Sequence, residues 1–169
     1  MKPALKPGDV FAVDVGNILD SIINFGQRLY SHDDKSEYPH CGIIKNAQGV
    51  TFESGWHIKE YNMCDCVGHK VIIARYHEMD IVKFQIAYEN LFKEYNGDLY
   101  PFWRLPMHLL PFVAKYVHLL DRPVCSELVA KFLFLSGVRQ PCYMGTNVDT
   151  LVDEWKNFKE VDVVFEGIL

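Results

Sequence analysis

Short apolar runs along the chain predict five β-strands. The runs span residues 8–13, 38–44, 50–54, 71–76 and 161–165. Their length and their content of β-branched and aromatic residues are typical of strands rather than of helices. The first run is apolar from Val10 to Val13, so we expect it to lie in the centre of a sheet.

Apolar residues at helical spacing predict five helices. They span 17–30, 80–95, 107–120, a segment that starts at Pro123 and stops at Ser136-Gly137, and 147–155. Asp80 is placed to cap the second helix, and Asn96-Gly97 to end it. Pro123 suits a first helical position because its ring presets φ and its missing N–H would have no partner there.

The runs 38–44 and 50–54 predict a β-hairpin, because the segment that joins them is short and ends in a glycine. With residues 47 and 48 as the loop, residue 42 pairs with 53 and residue 44 with 51. His40 and Glu53 are then diagonal neighbours on one face, with backbones about 7–8 Å apart and side chains able to meet. A slip of one residue would separate them.

Composition and charge narrow the class of protein. A chain of 169 residues, 49% of them hydrophobic, suits one domain spanning 1–169. A net charge of −5 without a basic run argues against a nucleic-acid partner. The first residues lack the apolar core of a secretory signal, and no apolar run approaches the roughly 20 residues of a membrane span. We therefore expect a cytoplasmic protein without stable membrane insertion; the pattern specifies no oligomeric state.

The five cysteines form no regular disulfide framework. They are Cys41, Cys64, Cys66, Cys125 and Cys142. An odd number in a cytosolic setting indicates reduced thiols. Cys64 and Cys66 with His57 and His69 suggest a zinc site, but their spacing matches no common structural pattern, and a loop that leads into a strand is the simpler interpretation. We expect neither a metal nor another cofactor.

Cys125 lies in the first turn of a predicted helix. The free N–H groups and the positive end of the helix dipole favour a thiolate there and can hold an oxyanion. The alternative is an ordinary core thiol, because Leu128, Val129 and Phe132 share its helix face. Likewise, His40 and Glu53 alone fit a half-buried histidine and a solvated carboxylate. Together the three residues predict a site, since a thiolate needs a base and the base an orienting acceptor.

Several sequence blocks support that hypothesis. They are Gly-Asp at 8–9, H-C-G-I-I at 40–44, F-E-S at 52–54, Arg-Tyr at 75–76 and V-C-S-E-L-V at 124–129. In this order they resemble the circularly permuted NlpC-like papain-fold proteins, particularly the YiiX-like group, over most of the chain. In papain the cysteine precedes the histidine, whereas the permuted order places His40 before Cys125.

The resemblance implies a role for each residue that matches its motif. Cys125 would be the nucleophile, His40 the general base and then acid, and Glu53 the group that orients the imidazole. The chain departs from the pattern at Pro39, where a serine is common, and at Cys41, a second thiol beside the histidine. Because strand side chains alternate, we expect Cys41 to point to the opposite face, away from the site.

We therefore expect an α+β, permuted papain-like fold in which a small antiparallel sheet packs against the helix that carries Cys125. The expected activity is hydrolysis or transfer at an amide bond of a small peptide-like, cell-wall-type or other acyl substrate through a thioester. Two alternatives stay open. The apolar segment 107–120, which suits a core or pocket-wall helix, also fits a lipid acyltransferase or phospholipase, and a catalytically silent binding protein would retain the same fold.

Overall fold

The computed structural model describes residues 3–14, 38–99, 122–139 and 146–169. The strands are β1 (Val10–Val13), β2 (His40–Ile44), β3 (Val50–Ser54), β4 (Ile58–Asn62), β5 (Lys70–Tyr76) and β6 (Val161–Ile168). The helices are α1 (Ile81–Tyr95), α2 (Cys125–Leu135) and α3 (Val148–Asn157), with a 3₁₀ helix at Met63–Cys66. The described part of the chain is thus α+β.

The six strands form one antiparallel sheet in the order β4, β3, β2, β1, β5, β6. The prediction that the first strand is central is confirmed, because β1 pairs with both β2 and β5. The hairpin register is confirmed as well: Gly42 pairs with Glu53, and Ile44 with Thr51.

The helices pack on one face of the sheet. That face carries Ala12, Cys41, Ile43 and Phe52, which form one buried cluster with the apolar residues of the helices. Phe11, Val13 and Ile44 point to the other face and pack against Met63, Cys66 and residues of β5 and β6. The alternation of side chains along β1 and β2 therefore builds a core on each side of the sheet.

The helix ends follow their capping residues. The Asp80 carboxylate accepts hydrogen bonds from the N–H groups of Val82 and Lys83, and Gly97 leaves α1 with a φ of 93°. The Asn147 side chain caps α3 by accepting from Thr150 N–H. One predicted boundary is wrong: α2 begins at Cys125, and Pro123 precedes it in an extended segment.

α2 begins two residues later than predicted, and the Glu127 side chain accounts for the difference. The Glu127 carboxylate accepts a hydrogen bond from the Val124 N–H at 3.2 Å, which makes Val124 the extended capping residue. Cys125 is therefore the first helical residue rather than the third. Its place in the first turn, on which the site hypothesis depends, is unchanged.

Two predicted helices, at 17–30 and 107–120, lie outside the described residues. Conversely, β4 and the 3₁₀ helix at Met63–Cys66 were not predicted. None of the helices that the structure describes combines the length and apolarity needed to cross a membrane.

Candidate active site

His40 and Glu53 form a hydrogen-bonded pair across β2 and β3. The distance from His40 Nε2 to Glu53 Oε2 is 2.8 Å, and the two side chains are only 18% and 11% exposed. The pair forms because Glu53 lies opposite Gly42, two residues along β2 from His40. The register thus produces the diagonal contact expected from the sequence.

Thr51 holds the other oxygen of the same carboxylate. Its hydroxyl donates a hydrogen bond to Glu53 Oε1, and both residues are buried. Thr51 lies two residues before Glu53 in β3, so the two side chains share a face. The sequence analysis did not identify Thr51, although that alternation could have drawn attention to it.

Gly42 provides the space in which the Glu53 side chain reaches His40. A Cβ added at Gly42 would lie 2.6 Å from Glu53 Cγ and 2.8 Å from Phe11 Cε1. Non-bonded carbon atoms do not approach one another so closely. The glycine in the H-C-G block therefore has a steric role: it leaves a gap in β2 that the Glu53 side chain fills.

We expect Gly42→Ala to displace Glu53 and to weaken its bond with His40. The added methyl group should lower the free energy of unfolding by about 1–3 kcal/mol, a typical cost of overpacking. Urea unfolding measures this loss. In a Glu53→Ala background the same substitution should cost less, because the Cγ that the methyl group meets is gone. An equal cost in both backgrounds would mean that the Phe11 ring, rather than Glu53, takes up the clash.

Two hydroxyl groups fasten the chain on either side of Cys125. Ser54 Oγ, at the end of β3, donates to the carbonyl oxygen of Pro123 at 3.2 Å. Ser126 Oγ donates to the carbonyl oxygen of Thr146 at 2.6 Å. Both serines are buried. The start of α2 is thereby fixed to the sheet and to the segment that leads into α3.

Cys125 contacts two neighbouring residues of β2. The His40 imidazole, the Cys41 thiol and the Cys41 backbone are the groups that lower the pKa of its thiol, so they are its polar neighbours. Because Nε2 of His40 is bonded to Glu53, Nδ1 is the ring nitrogen left for the sulfur. Of the three residues that the sequence brought forward as a site, His40 and Glu53 are in direct contact, and His40 is among the groups that lower the pKa of Cys125.

Cys41 points to the face that was expected, but that face is not remote from Cys125. Its side chain does point to the opposite face from His40, as strand alternation requires, and it packs in the helix-covered cluster. That face is also the one on which α2 packs, so Cys41 lies in the same buried cluster as Cys125.

The surroundings raise the pKa of His40 and lower that of Cys125, which favours an ion pair between them. Burial alone would lower the pKa of His40, but hydrogen bonds to Cys125 and Glu53 outweigh it and raise the pKa from 6.5 to about 10. The hydrogen bond from Cys41 is the largest influence on Cys125 and lowers its pKa well below the usual 9.0; burial opposes this, and the hydrogen bond and charge of His40 reinforce it. The favoured state is a Cys125 thiolate beside a His40 imidazolium.

The residues considered for zinc do not come together. Cys64 is exposed, Cys66 is buried on the other face of the sheet, and His69 Nδ1 lies 2.8 Å from the carbonyl oxygen of Asp14. Within residues 3–14, 38–99, 122–139 and 146–169, no three His, Cys, Asp or Glu side chains are grouped so that they could hold a metal ion.

Comparison with known proteins adds a likeness of fold. No protein-family model and no curated protein matches the chain. Among solved structures, the chain is similar to metalloprotein yiiX from Escherichia coli O157:H7, a DUF1105 protein, with a TM-score of 0.55 and 15% sequence identity. The similarity covers 98% of this chain and 99% of that one. The chain therefore has the YiiX fold.

Proposed function

We propose that the protein is a cysteine-dependent hydrolase or acyltransferase that acts on an amide bond through a thioester. One observation supports this most directly: a histidine that is hydrogen-bonded to a buried carboxylate helps to lower the pKa of Cys125, which lies at the start of a helix. A nucleophile, a base and an acceptor that orients the base are the parts that acyl transfer requires.

We propose further that the architecture is a circularly permuted papain-like fold of the YiiX-like group. In support, His40 and Glu53 lie on adjacent strands, the helix that carries Cys125 packs against them, and the histidine precedes the cysteine in the chain. The likeness of fold to YiiX extends over 98% of this chain.

The reaction proceeds in two steps on these residues. The Cys125 thiolate attacks the acyl carbon, and the N–H groups at the start of α2 stabilise the oxyanion. The C–N bond then breaks, the leaving amine takes the proton of the His40 imidazolium, and an acyl thioester remains on Cys125. Neutral His40 next takes a proton from water, the resulting hydroxide attacks the thioester, and the acid, the thiolate and the imidazolium are released. In a transferase, an amine or alcohol replaces the water.

YiiX is described as a metalloprotein. The steps above use only groups of this chain, whose described residues include no three His, Cys, Asp or Glu side chains grouped to hold a metal ion. A lipid substrate is the enzyme alternative, but it depends on the segment 107–120, which lies outside the described residues. A catalytically silent protein is distinguished from an enzyme by the reactivity of Cys125.

We expect iodoacetamide to modify Cys125 first among the cysteines at pH 6.5. Cys64 is the internal control, because it is exposed whereas Cys125 is 5% exposed. Exposure alone would favour Cys64, and only a thiolate can reverse that order. Mass spectrometry of the cysteine peptides over time measures both rates.

His40→Ala should slow the labelling of Cys125 about tenfold or more at this pH, because the thiolate loses its cationic partner, and should leave Cys64 unchanged. An acyl-type probe should show the same loss. If Cys125 is among the slowest thiols in the wild-type protein, it is not a nucleophile and the chain is a silent binding protein. Binding to lipid vesicles by a reactive wild-type protein would favour the lipid substrate.

A further inference from the structure

We propose that Ser54 is a positioning residue of this site: its hydroxyl, which donates a hydrogen bond to the carbonyl oxygen of Pro123, holds the start of α2 at the end of the sheet that carries His40. The inference deepens the proposed function, since it rests on Cys125 as the nucleophile. It assigns to Ser54 an effect on the reactivity of Cys125 in addition to its part in the fold.

The position of the helix start along the strands matters because His40 and α2 lie on different faces of the sheet. Cys41 points to the face that α2 covers, so its neighbour His40 points to the other face, as does Glu53, which bonds to it. A cysteine on α2 can therefore approach the imidazole only around the end of the sheet. That end is where β2 begins at His40 and β3 ends at Ser54.

Ser54 is itself firmly held in the sheet. It pairs with Ile58 of β4 and is only 1% exposed. It directly follows Glu53, and the side chains of the two residues point to opposite faces. Glu53 bonds to His40 on one face, and Ser54 bonds to Pro123 on the other, at 3.2 Å. Two successive residues of β3 therefore hold the imidazole and the start of the helix.

The link from Pro123 to Cys125 is short and stiff. The proline ring fixes φ of Pro123, and the hydrogen bond from the Val124 N–H to the Glu127 carboxylate accompanies an extended Val124. The carbonyl of Val124 accepts the first hydrogen bond of α2, so the carbonyl of Pro123 lies just before the helix, where Ser54 donates to it. A bond at Pro123 thus constrains the place of Cys125 two residues later.

The charged and titratable groups near Cys125 all remain when the Ser54 hydroxyl is removed. They are His40 and Cys41 of β2, Glu53 of β3, Glu127 of α2 and the Arg122–Asp98 ion pair just before Pro123. A change in the ionisation of Cys125 on substitution of Ser54 therefore reflects the place of the thiol relative to these groups, and not the loss of a charge.

The test is the pH dependence of Cys125 alkylation by iodoacetamide, followed by mass spectrometry of the Cys125 peptide. Ser54→Ala removes the donor and frees the start of α2 to move away from His40. The thiolate then loses part of its stabilisation, and the midpoint of the rate against pH should rise by about half a unit to one unit. Ser54→Thr keeps a hydroxyl and should bring the midpoint back toward the wild type.

The matched control is Ser136→Ala. Ser136 is also buried, and its hydroxyl donates to the carbonyl oxygen of Leu133 at 3.0 Å, but it lies at the other end of α2. Its loss removes the same kind of hydrogen bond from the same helix. Thermal unfolding should show a lower Tm in both alanine variants, whereas only Ser54→Ala should move the midpoint for Cys125.

A double-mutant cycle with His40→Ala separates positioning from a general loosening of the fold. If Ser54 acts by keeping Cys125 near the imidazole, Ser54→Ala should raise the midpoint in the wild-type background and leave it unchanged in the His40→Ala background. An equal rise in both backgrounds would mean that Ser54 acts on the fold alone, and would overturn the proposal.

The remaining outcomes are equally definite. A midpoint that stays at the wild-type value in Ser54→Ala overturns the proposal, as does an equal rise in Ser54→Ala and Ser54→Thr, which would indicate packing rather than hydrogen bonding. If Ser54→Ala does not fold, Ser54→Cys keeps the size, has a weaker donor and should show a smaller rise. A wild-type protein whose Cys125 reacts no faster than in His40→Ala overturns the proposed function itself, whereas an unshifted Ser54→Ala beside a wild type that depends on His40 overturns only the role of Ser54.

Discussion

Cys125→Ser is expected to remove the proposed acyl-transfer activity while the domain remains folded. The substitution changes one atom, but a serine hydroxyl does not ionise beside His40 at neutral pH, and the hydrogen bonds that stabilise a thiolate do not turn it into an alkoxide. We expect a fall in kcat/KM on the order of a thousandfold or more, as for the loss of the nucleophile in well-studied hydrolases. The measurement is turnover of an amide substrate by the purified variant.

The matched control for this prediction is Cys66→Ser. Cys66 is also a buried thiol, but it lies on the other face of the sheet, so its loss should leave turnover unchanged. Thermal unfolding of both variants separates a chemical effect from a loss of fold. Wild-type turnover in folded Cys125→Ser would require another nucleophile.

The contact between His40 and Glu53 could be predicted because the position of a hairpin loop determines the register of its two strands. Once residues 47 and 48 are taken as the loop, the register follows, and it places Glu53 diagonal to His40. Helix periodicity likewise placed Cys125 in a first turn. The His40–Glu53 pair depends on one hairpin, and the position of Cys125 depends on one helix. Both can be predicted from the pattern of neighbouring residues in a single sequence.

The features that could not be predicted depend on tertiary packing. Alternation gives the face of β2 on which Cys41 lies, but only the packing of α2 decides that this face also carries Cys125. The role of Gly42 similarly depends on where the Glu53 side chain runs across the neighbouring strand. Strand β4 was missed because four of its five residues are polar or aromatic and only Ile58 is buried, so it lacks a clear apolar pattern.

Glu53→Gln is expected to lower kcat/KM about ten- to a thousandfold, less than the loss of the nucleophile, because an orienting group forms no bond with the substrate. The two oxygens of Glu53 each accept a hydrogen bond, one from Thr51 and one from His40. Glutamine has one acceptor oxygen. To keep the bond with His40, its NH₂ must face Thr51, whose hydroxyl then has to accept instead of donate. The fold can be kept in this way, but the negative charge is lost.

The loss of the Glu53 charge should also shift the pH profile of the rate in a defined direction. Glu53 stabilises the His40 imidazolium, so its neutralisation lowers the pKa of His40 from about 10. In the proposed reaction the imidazolium donates its proton to the leaving amine. The rate should therefore fall as pH rises through this pKa, and the alkaline limb should move to lower pH in Glu53→Gln. Thr51→Val is the matched control: it removes the other hydrogen bond to the carboxylate, keeps the charge and should leave that limb nearer to its wild-type position. If Glu53→Gln retains the wild-type rate and an unaltered profile, Glu53 is a buried strand residue without a part in the reaction, and another acceptor orients His40.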